Sequence, residues 1–436
     1  MKDLTNQHRP SFSEAFWFWL KLGFISFGGP SGQISLIHEE LVAKRQWISE
    51  FQFIRALNFC MLLPGPEAHQ LSIYIGWLLH GIRGGIIAGV FFVIPSVLIL
   101  GALSWLYVLY GNVTWVIALF VGIKPVVVAI VATSVARLGR KAFRSNLLWM
   151  VGGISFFSLF GFGISFPWVI LGAAVIGWIG GRFAPTQFTL GDSPKEQSPD
   201  SLHSSHKRSQ TILGFGSHAR RVLIMGLSIW WGPVILLTAW LGKDHSVVQE
   251  AVFFSKAAVV TFGGAYAVLP YVSQQAVESH HWLSASQMMD GLGLAEITPG
   301  PLIIVLQFVG FLGAYANPGG LAPSISGFLG ALATSWTTFV PSFIFIFLGA
   351  PWVERLQGQP RLNAALSAVT AAVVGVILNL GIWFGWQVFY SAHHGVHWFS
   401  LGVAVLAYIS LTHLKMNLLK VIGTGMILGL VNSYFL

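Results

Sequence analysis

The sequence predicts an all-α integral membrane protein: two inverted-topology repeats of about six transmembrane helices each, joined by one extra span, about thirteen spans in all. Three observations lead there. The 436 residues are 55% hydrophobic and only 9% charged, too few charges to cover a soluble surface, so most of the chain faces lipid or other helices. Landmarks of the first half return in the second at a constant offset of 235 residues: Phe27-Gly28-Gly29 with Phe262-Gly263-Gly264, Trp47-Ile48-Ser49 with Trp282-Leu283-Ser284, and Pro64-Gly65-Pro66 with Pro299-Gly300-Pro301. Six spans and one connecting span make an odd number, so the second half enters the membrane upside down.

Apolar segments of spanning length fall near 14–36, 52–80, 84–110, 113–135, 146–161 and 166–183, then 222–241, 248–272, 288–313, 325–350, 362–386, 397–412 and 418–435. Those that carry Gly-Gly or Pro-Gly-Pro are candidates for re-entrant or broken helices. Residues 1–183 form the N-terminal membrane repeat. Residues 184–221, polar and rich in Ser and Pro, read as a flexible cytoplasmic linker. A connecting span at 222–243 leads into the C-terminal inverted repeat, 244–436. Beyond Pro301 the offset grows to 246, where Val93-Ile94-Pro95-Ser96 meets Phe339-Val340-Pro341-Ser342. Lys21 interrupts the first apolar stretch, so no cleavable signal is expected there. The single cysteine, Cys60, excludes an internal disulfide.

The net charge of +9 reads as membrane orientation rather than nucleic-acid binding. With the N-terminus in the cytoplasm and sides alternating through thirteen spans, most Lys and Arg fall inside; Lys44, Arg45, Arg55 and Lys243 fall outside. The loop at 38–55 opposes the bias.

Residues with chemistry cluster at the repeated marks. Lys21 and Lys256 stand six residues before each Phe-Gly-Gly. A lysine at membrane depth costs about 2.5–3.5 kcal/mol unless offset, so a matched pair is read as cations on a substrate route; snorkelling to the headgroups is the alternative. Lys124, matched by Thr370, is a weaker candidate. Gly28-Gly29 and Gly263-Gly264 let backbone N–H groups approach an oxyanion, or serve only close helix packing. Ser26 and Thr261 add hydroxyl donors. Pro64-Gly65-Pro66 and Pro299-Gly300-Pro301 break helices and leave positive half-helix starts beside a cavity; a simple kink is the alternative. Glu67 follows the first break and Glu296 precedes the second. Both are candidates for proton coupling, with His69, or else members of structural ion pairs. His393, His394 and His397 have metal-like spacing but no acidic or Cys partner. No cofactor and no metal are expected.

At these residues the chain resembles the chromate ion transporter (CHR) family in its long, two-domain bacterial form. The stretches that carry the resemblance are Phe27-Gly28-Gly29-Pro30, Cys60 to Ala68, Thr261 to Pro270 and Thr298 to Leu302. It covers both halves and nearly all of the chain outside the linker. His69 departs from the pattern, where a neutral polar residue such as Gln is expected. The resemblance implies a secondary transporter of the bacterial inner (plasma) membrane, N-terminus in the cytoplasm, not an enzyme. It implies chromate efflux, and with it chromate resistance, driven by the proton-motive force and working by alternating access. Expected partners are chromate and sulfate, the lipid bilayer and, in a homodimer, a second copy of the chain; nucleic acid is not among them. Two other readings stand beside this one. A sulfate or other oxyanion importer keeps the architecture and reverses the direction. An intramembrane enzyme acting on lipid would need a nucleophile with its base, and the sequence holds no such set.

Overall fold

The computed structural model describes residues 10–188, 215–352, 359–391 and 395–435. The first half contains α1 (Phe12–Ile25), α2 (Gly29–His38), α3 (Glu50–Cys60), α4 (Glu67–Tyr110), α5 (Thr114–Ala142), α6 (Asn146–Phe160), α7 (Phe166–Phe183) and the short α8 (Pro185–Phe188). The second contains α9 (Phe215–Leu241), α10 (Ser246–Val260), α11 (Ala265–Gln274), α12 (Ala285–Ile297), α13 (Val305–Ala316), α14 (Pro323–Gly349), α15 (Pro360–Phe389), α16 (Trp398–Thr412) and α17 (Leu418–Phe435). Among the described residues the only strands are Tyr390–Ser391 and Gly395–Val396, which pair antiparallel. Among the described residues seven helices are long and apolar enough to cross a membrane: α4, α5, α7, α9, α14, α15 and α17. The protein is therefore an all-α membrane protein. The expected linker, 184–221, and His393 and His394 lie largely or wholly outside the described residues, and the connecting helix starts at Phe215 rather than 222.

Local devices recur at the sequence offset. Ser49 with Gln52, and Ser284 with Gln287, close full capping boxes at α3 and α12. Each box follows a residue at positive φ, Gln46 or His281, both at 53°, and each of those follows a π-helical turn, Glu39–Lys44 or Gln275–Ser279.

Four of the thirteen expected spans do not run straight across. The segment at 14–36 breaks between α1 and α2 and turns back, bringing Arg45 to 3.6 Å from Glu14 and the Trp47 ring to 5.0 Å from Phe18. The segment at 52–80 breaks at Pro64-Gly65-Pro66 and returns through the first arm of α4, so that His80 Nε2 lies 3.0 Å from the Pro10 carbonyl. At His80 and Gly81 the backbone leaves helical geometry, and residues 82–110 run antiparallel to 67–79, with Gly84 packed on Gly76. The second half does the same. Phe253 meets Trp282 at 5.6 Å, and Ser246 Oγ donates to the Asn317 carbonyl at 2.7 Å.

Folding these segments back removes the one anomaly in the charge distribution. With these segments folded back, alternation of the helices puts the Lys44–Arg45 turn and the start of α3, which carries Arg55, on the side of Arg83, the Arg137–Arg144 cluster, Arg182 and Arg361. That face is tied together where Ser145 Oγ donates to the Gln187 carbonyl at 2.7 Å and where Gly181 packs on Arg361. Lys243, at the end of α9, lies on the opposite face.

Candidate functional site

Each Pro-Gly-Pro break crosses the Gly-Gly break of the other half. The Gly65 N–H donates to the Thr261 carbonyl at 2.7 Å, and the Gly300 N–H donates to the Ser26 carbonyl at 2.7 Å. Each break also rests on a serine of the other half. A side chain at Gly65 would meet Ser342 Oγ at 2.9 Å and Gln70 Nε2 at 2.6 Å; one at Gly300 would collide with Ser96 Oγ. Both glycines have positive φ, 132° and 99°, which only glycine adopts freely. Gly28, Gly29, Gly263 and Gly264 are also at positive φ.

At the crossing lies a small, partly open cavity of about 10 Å³, room for one water, lined by Pro30, Gln33, Pro66, Glu67, Ala68, Ala265, Pro301 and Leu302. Four helical segments begin at its wall: α2 at Gly29-Pro30, α4 at Glu67, α11 at Ala265 and the 3₁₀ turn Leu302–Ile304. The first N–H groups of a helix have no partner within it, and its dipole makes that end positive. A cavity ringed by helix starts from both halves is built for an anion.

Two glutamines that the repeat pattern does not mark brace the breaks, and Gln33 also lines the cavity. Buried Gln33 donates through Nε2 to the Gly300 carbonyl and, at 3.4 Å, to that of Ser26. Gln70 Nε2 donates to the Pro64 carbonyl at 2.7 Å. They satisfy carbonyls that the breaks leave without helical partners. Their counterparts at the 235 offset are Val268 and Val305, so no repetition points to them.

Other expected site residues lie elsewhere. Lys21 and Lys256 are exposed, not buried, and neither lines the cavity; Lys21 stands beside exposed Trp17 and Phe24. At the opposite surface, burial and then the field of Lys256 hold the His280 ring below its ordinary basicity. The Ser26 and Thr261 hydroxyls donate to the Leu22 and Ala257 carbonyls of their own helices, both at 2.6 Å. Glu67 lies at the cavity wall, half-buried. Glu296 is buried and accepts from Tyr266 Oη at 2.6 Å. On α5, Lys141 and Arg137 are the cations whose fields reach Glu67 and Glu296. His69 is packed among Phe92, Phe339 and Phe343, its ring 6.3, 5.2 and 5.3 Å from theirs. Lys124 lies 3.5 Å from Asp290 and donates to Ser286 Oγ at 2.6 Å, while Tyr107 Oη donates to Asp290 at 2.9 Å. This group, in which only Asp290 is buried, joins α4 and α5 to α12, away from the cavity lining. Among the described residues no cluster of His, Cys, Asp or Glu has the arrangement of a metal site; His397 stands at the start of α16.

Comparison with known proteins adds an independent line. The profile of a family described as "Chromate transporter" matches residues 13–178 and 248–430. A "Probable chromate transport protein" of Synechococcus elongatus is 28% identical over 399 residues, 91% of this chain and 89% of that one. The "Chromate transport protein" of Pseudomonas aeruginosa is 31% identical over 384 residues, 86% of this chain and 82% of that one. That of Cupriavidus metallidurans is 30% identical over 361 residues, 83% and 79% of the two chains. No solved structure matches the chain.

Proposed function

The chain belongs to the chromate transporter family, and from that premise we propose that it exports chromate from the cytoplasm across the inner membrane by alternating access. The observation that carries the reading is the convergence of four helix starts, two from each half, on one small cavity. Charge and tetrahedral shape are what such a ring of N–H groups recognises, so sulfate is expected to compete. A chromate ion is larger than this cavity of about 10 Å³, so transport requires the two halves to part, on one face and then on the other.

The architecture we infer has nine crossings and four re-entrant hairpins. Two hairpins of the first half enter from the basic face, which the positive-inside rule makes cytoplasmic, and two of the second enter from the opposite face. The halves are then inverted repeats meeting at the midplane, the arrangement that supports alternating access. Lys21 and Lys256 flank the crossing, one toward each face, as cations on the two approaches, while Arg137 and Lys141 serve the cytoplasmic mouth. A membrane potential negative inside favours expulsion of a dianion by about 2.3 kcal/mol per charge per 100 mV. Protonation of Glu67 and Glu296, both close to the anion path, would couple the remaining step to the proton gradient.

Chromate accumulation in cells tests the reading. Cells that make the native chain are expected to accumulate less chromate than empty cells. Excess sulfate should blunt the difference, and a Lys21→Ala/Lys256→Ala double variant should lose most of it. Equal accumulation in native and empty cells would overturn chromate export. A Glu67→Gln/Glu296→Gln variant whose transport kept its full pH dependence would remove those carboxyls from coupling.

A further inference from the structure

The second half buries one more acid, and the site described above does not use it. Glu250, on α10, is fully buried, and neither carboxyl oxygen has a hydrogen-bond partner among the described residues. The carboxyl fills the space left by two glycines. A side chain at Gly313 would meet Oε1 at 2.5 Å, and one at Gly330 would meet Oε2 at 2.7 Å. The corresponding residue of the first half is Ala15, so the acid belongs to one half only.

A polar groove of about 500 Å³ opens directly above it, lined in part by Asp244, His245, Ser246, His280, Trp282 and Asn317. Trp282 separates groove from acid: its Cβ lies 2.9 Å from the same point on Gly313 that Oε1 approaches. Asn317 Nδ2 donates to the Gly313 carbonyl at 3.1 Å, so one turn of α13 joins the groove to the carboxyl.

Among the described residues no cation pairs with Glu250; Lys243 stands before α10, as does His245 in the groove lining. The residues of α14 and α13 include no charged side chain, and α13 carries one titratable group, Tyr315. The basic residues of α9, Arg220 and Arg221, lie at its far end, since Val234 is the part of α9 packed near Ala251. The turn-back helix α11 offers Tyr266 and Tyr271, and its loop offers Glu278, His280 and His281. On its own chain segment the nearest charged groups are Asp244 in the groove and Lys256, six residues along the helix. An ionised carboxylate here would have neither counter-charge nor donor, whereas the neutral acid needs no counter-charge. The close packing on both oxygens leaves no space for a metal ion with its shell of ligands, which selects the proton.

We propose that Glu250 is a proton-loading site, filled from the groove on the non-cytoplasmic face and exchanged when Trp282 moves aside. The inference rests on the proton-coupled reading above and adds the residue that takes up the proton on the side where protons are abundant.

Purified protein in liposomes tests it with two fluxes: chromate exchange without any gradient, and chromate flux driven by an imposed pH gradient. Glu250→Gln, the isosteric mimic of the neutral acid, is expected to keep exchange within about twofold and to lose gradient-driven flux at least tenfold. Gradient-driven flux that survives in Glu250→Gln while vanishing in Glu67→Gln/Glu296→Gln would overturn the role of Glu250 and leave coupling intact. Native protein that exchanges chromate but ignores the pH gradient would overturn both. Should Glu250→Gln lose exchange as well, infrared spectra of native protein between pH 6 and 9 decide: a carboxylic-acid band that titrates and is absent from the variant supports the site, and no such band overturns it.

Discussion

At the scale of single residues, the sharpest demand falls on Gly300. Its φ of 99° and the position of Ser96 Oγ both exclude a side chain. Gly300→Ala therefore combines backbone strain of about 1–3 kcal/mol with displacement of the neighbouring helix. We expect a lower melting temperature and at least tenfold less chromate transport. Gly153→Ala is the control: that glycine is helical with open space around it, and alanine there should be neutral or stabilising by about 0.5–1 kcal/mol. Thermal unfolding in detergent and transport in cells read both. The positions of the breaks were legible in the sequence because proline and glycine are interpretable without context. Their partners were not. Nothing in Pro64-Gly65-Pro66 says that its N–H will seek the Thr261 carbonyl, and Gln33 and Gln70 have no counterpart in the other half. Ser96 and Ser342 did stand in the repeated pattern, but as marks of alignment; their contact with the glycines of the opposite half is a product of tertiary packing. Lys21 and Lys256 show the reverse. Their repetition drew attention to them, yet both are exposed and neither lines the cavity between the breaks.

At the scale of elements, hydropathy located nearly every apolar segment but could not tell a crossing from a hairpin. A hairpin of two short helices and a single spanning helix contain similar numbers of apolar residues, and only the break between the arms distinguishes them. The break at His80-Gly81 is the clearest case. Gly81 has φ 63° and ψ −155°, a conformation essentially reserved for glycine, although no atom lies within 4 Å of the place its Cβ would take. Gly81→Ala should consequently destabilise the protein by about 1–3 kcal/mol through the backbone alone, and hydrogen exchange should increase locally across 67–92. Unchanged exchange there would mean that the two arms of α4 are held by their glycine-rich packing and not by the turn.

At the scale of the whole molecule, the charge distribution and the fold bear on each other. A chain of thirteen straight crossings leaves Lys44, Arg45 and Arg55 on the wrong side of the membrane. Turning back the four broken segments moves them to the side that carries the other basic loops and leaves Lys243, among the Lys and Arg of the described loops, opposite, without altering a single residue. Because loop charge acts on orientation during insertion, this agreement is independent of the packing that defines the hairpins. It yields a test that separates the two topologies at one position. Cys60 is buried and is the only cysteine, so a Cys60→Ala background allows single reporter cysteines at Arg45, Lys243 and Lys415. With nine crossings, a membrane-impermeant thiol reagent applied to intact cells labels the cysteine at 243 and spares those at 45 and 415. With thirteen, it labels both 45 and 243. Labelling at 45 would cancel the hairpins of the first half, and with them the inversion that lets both halves present helix starts to one anion.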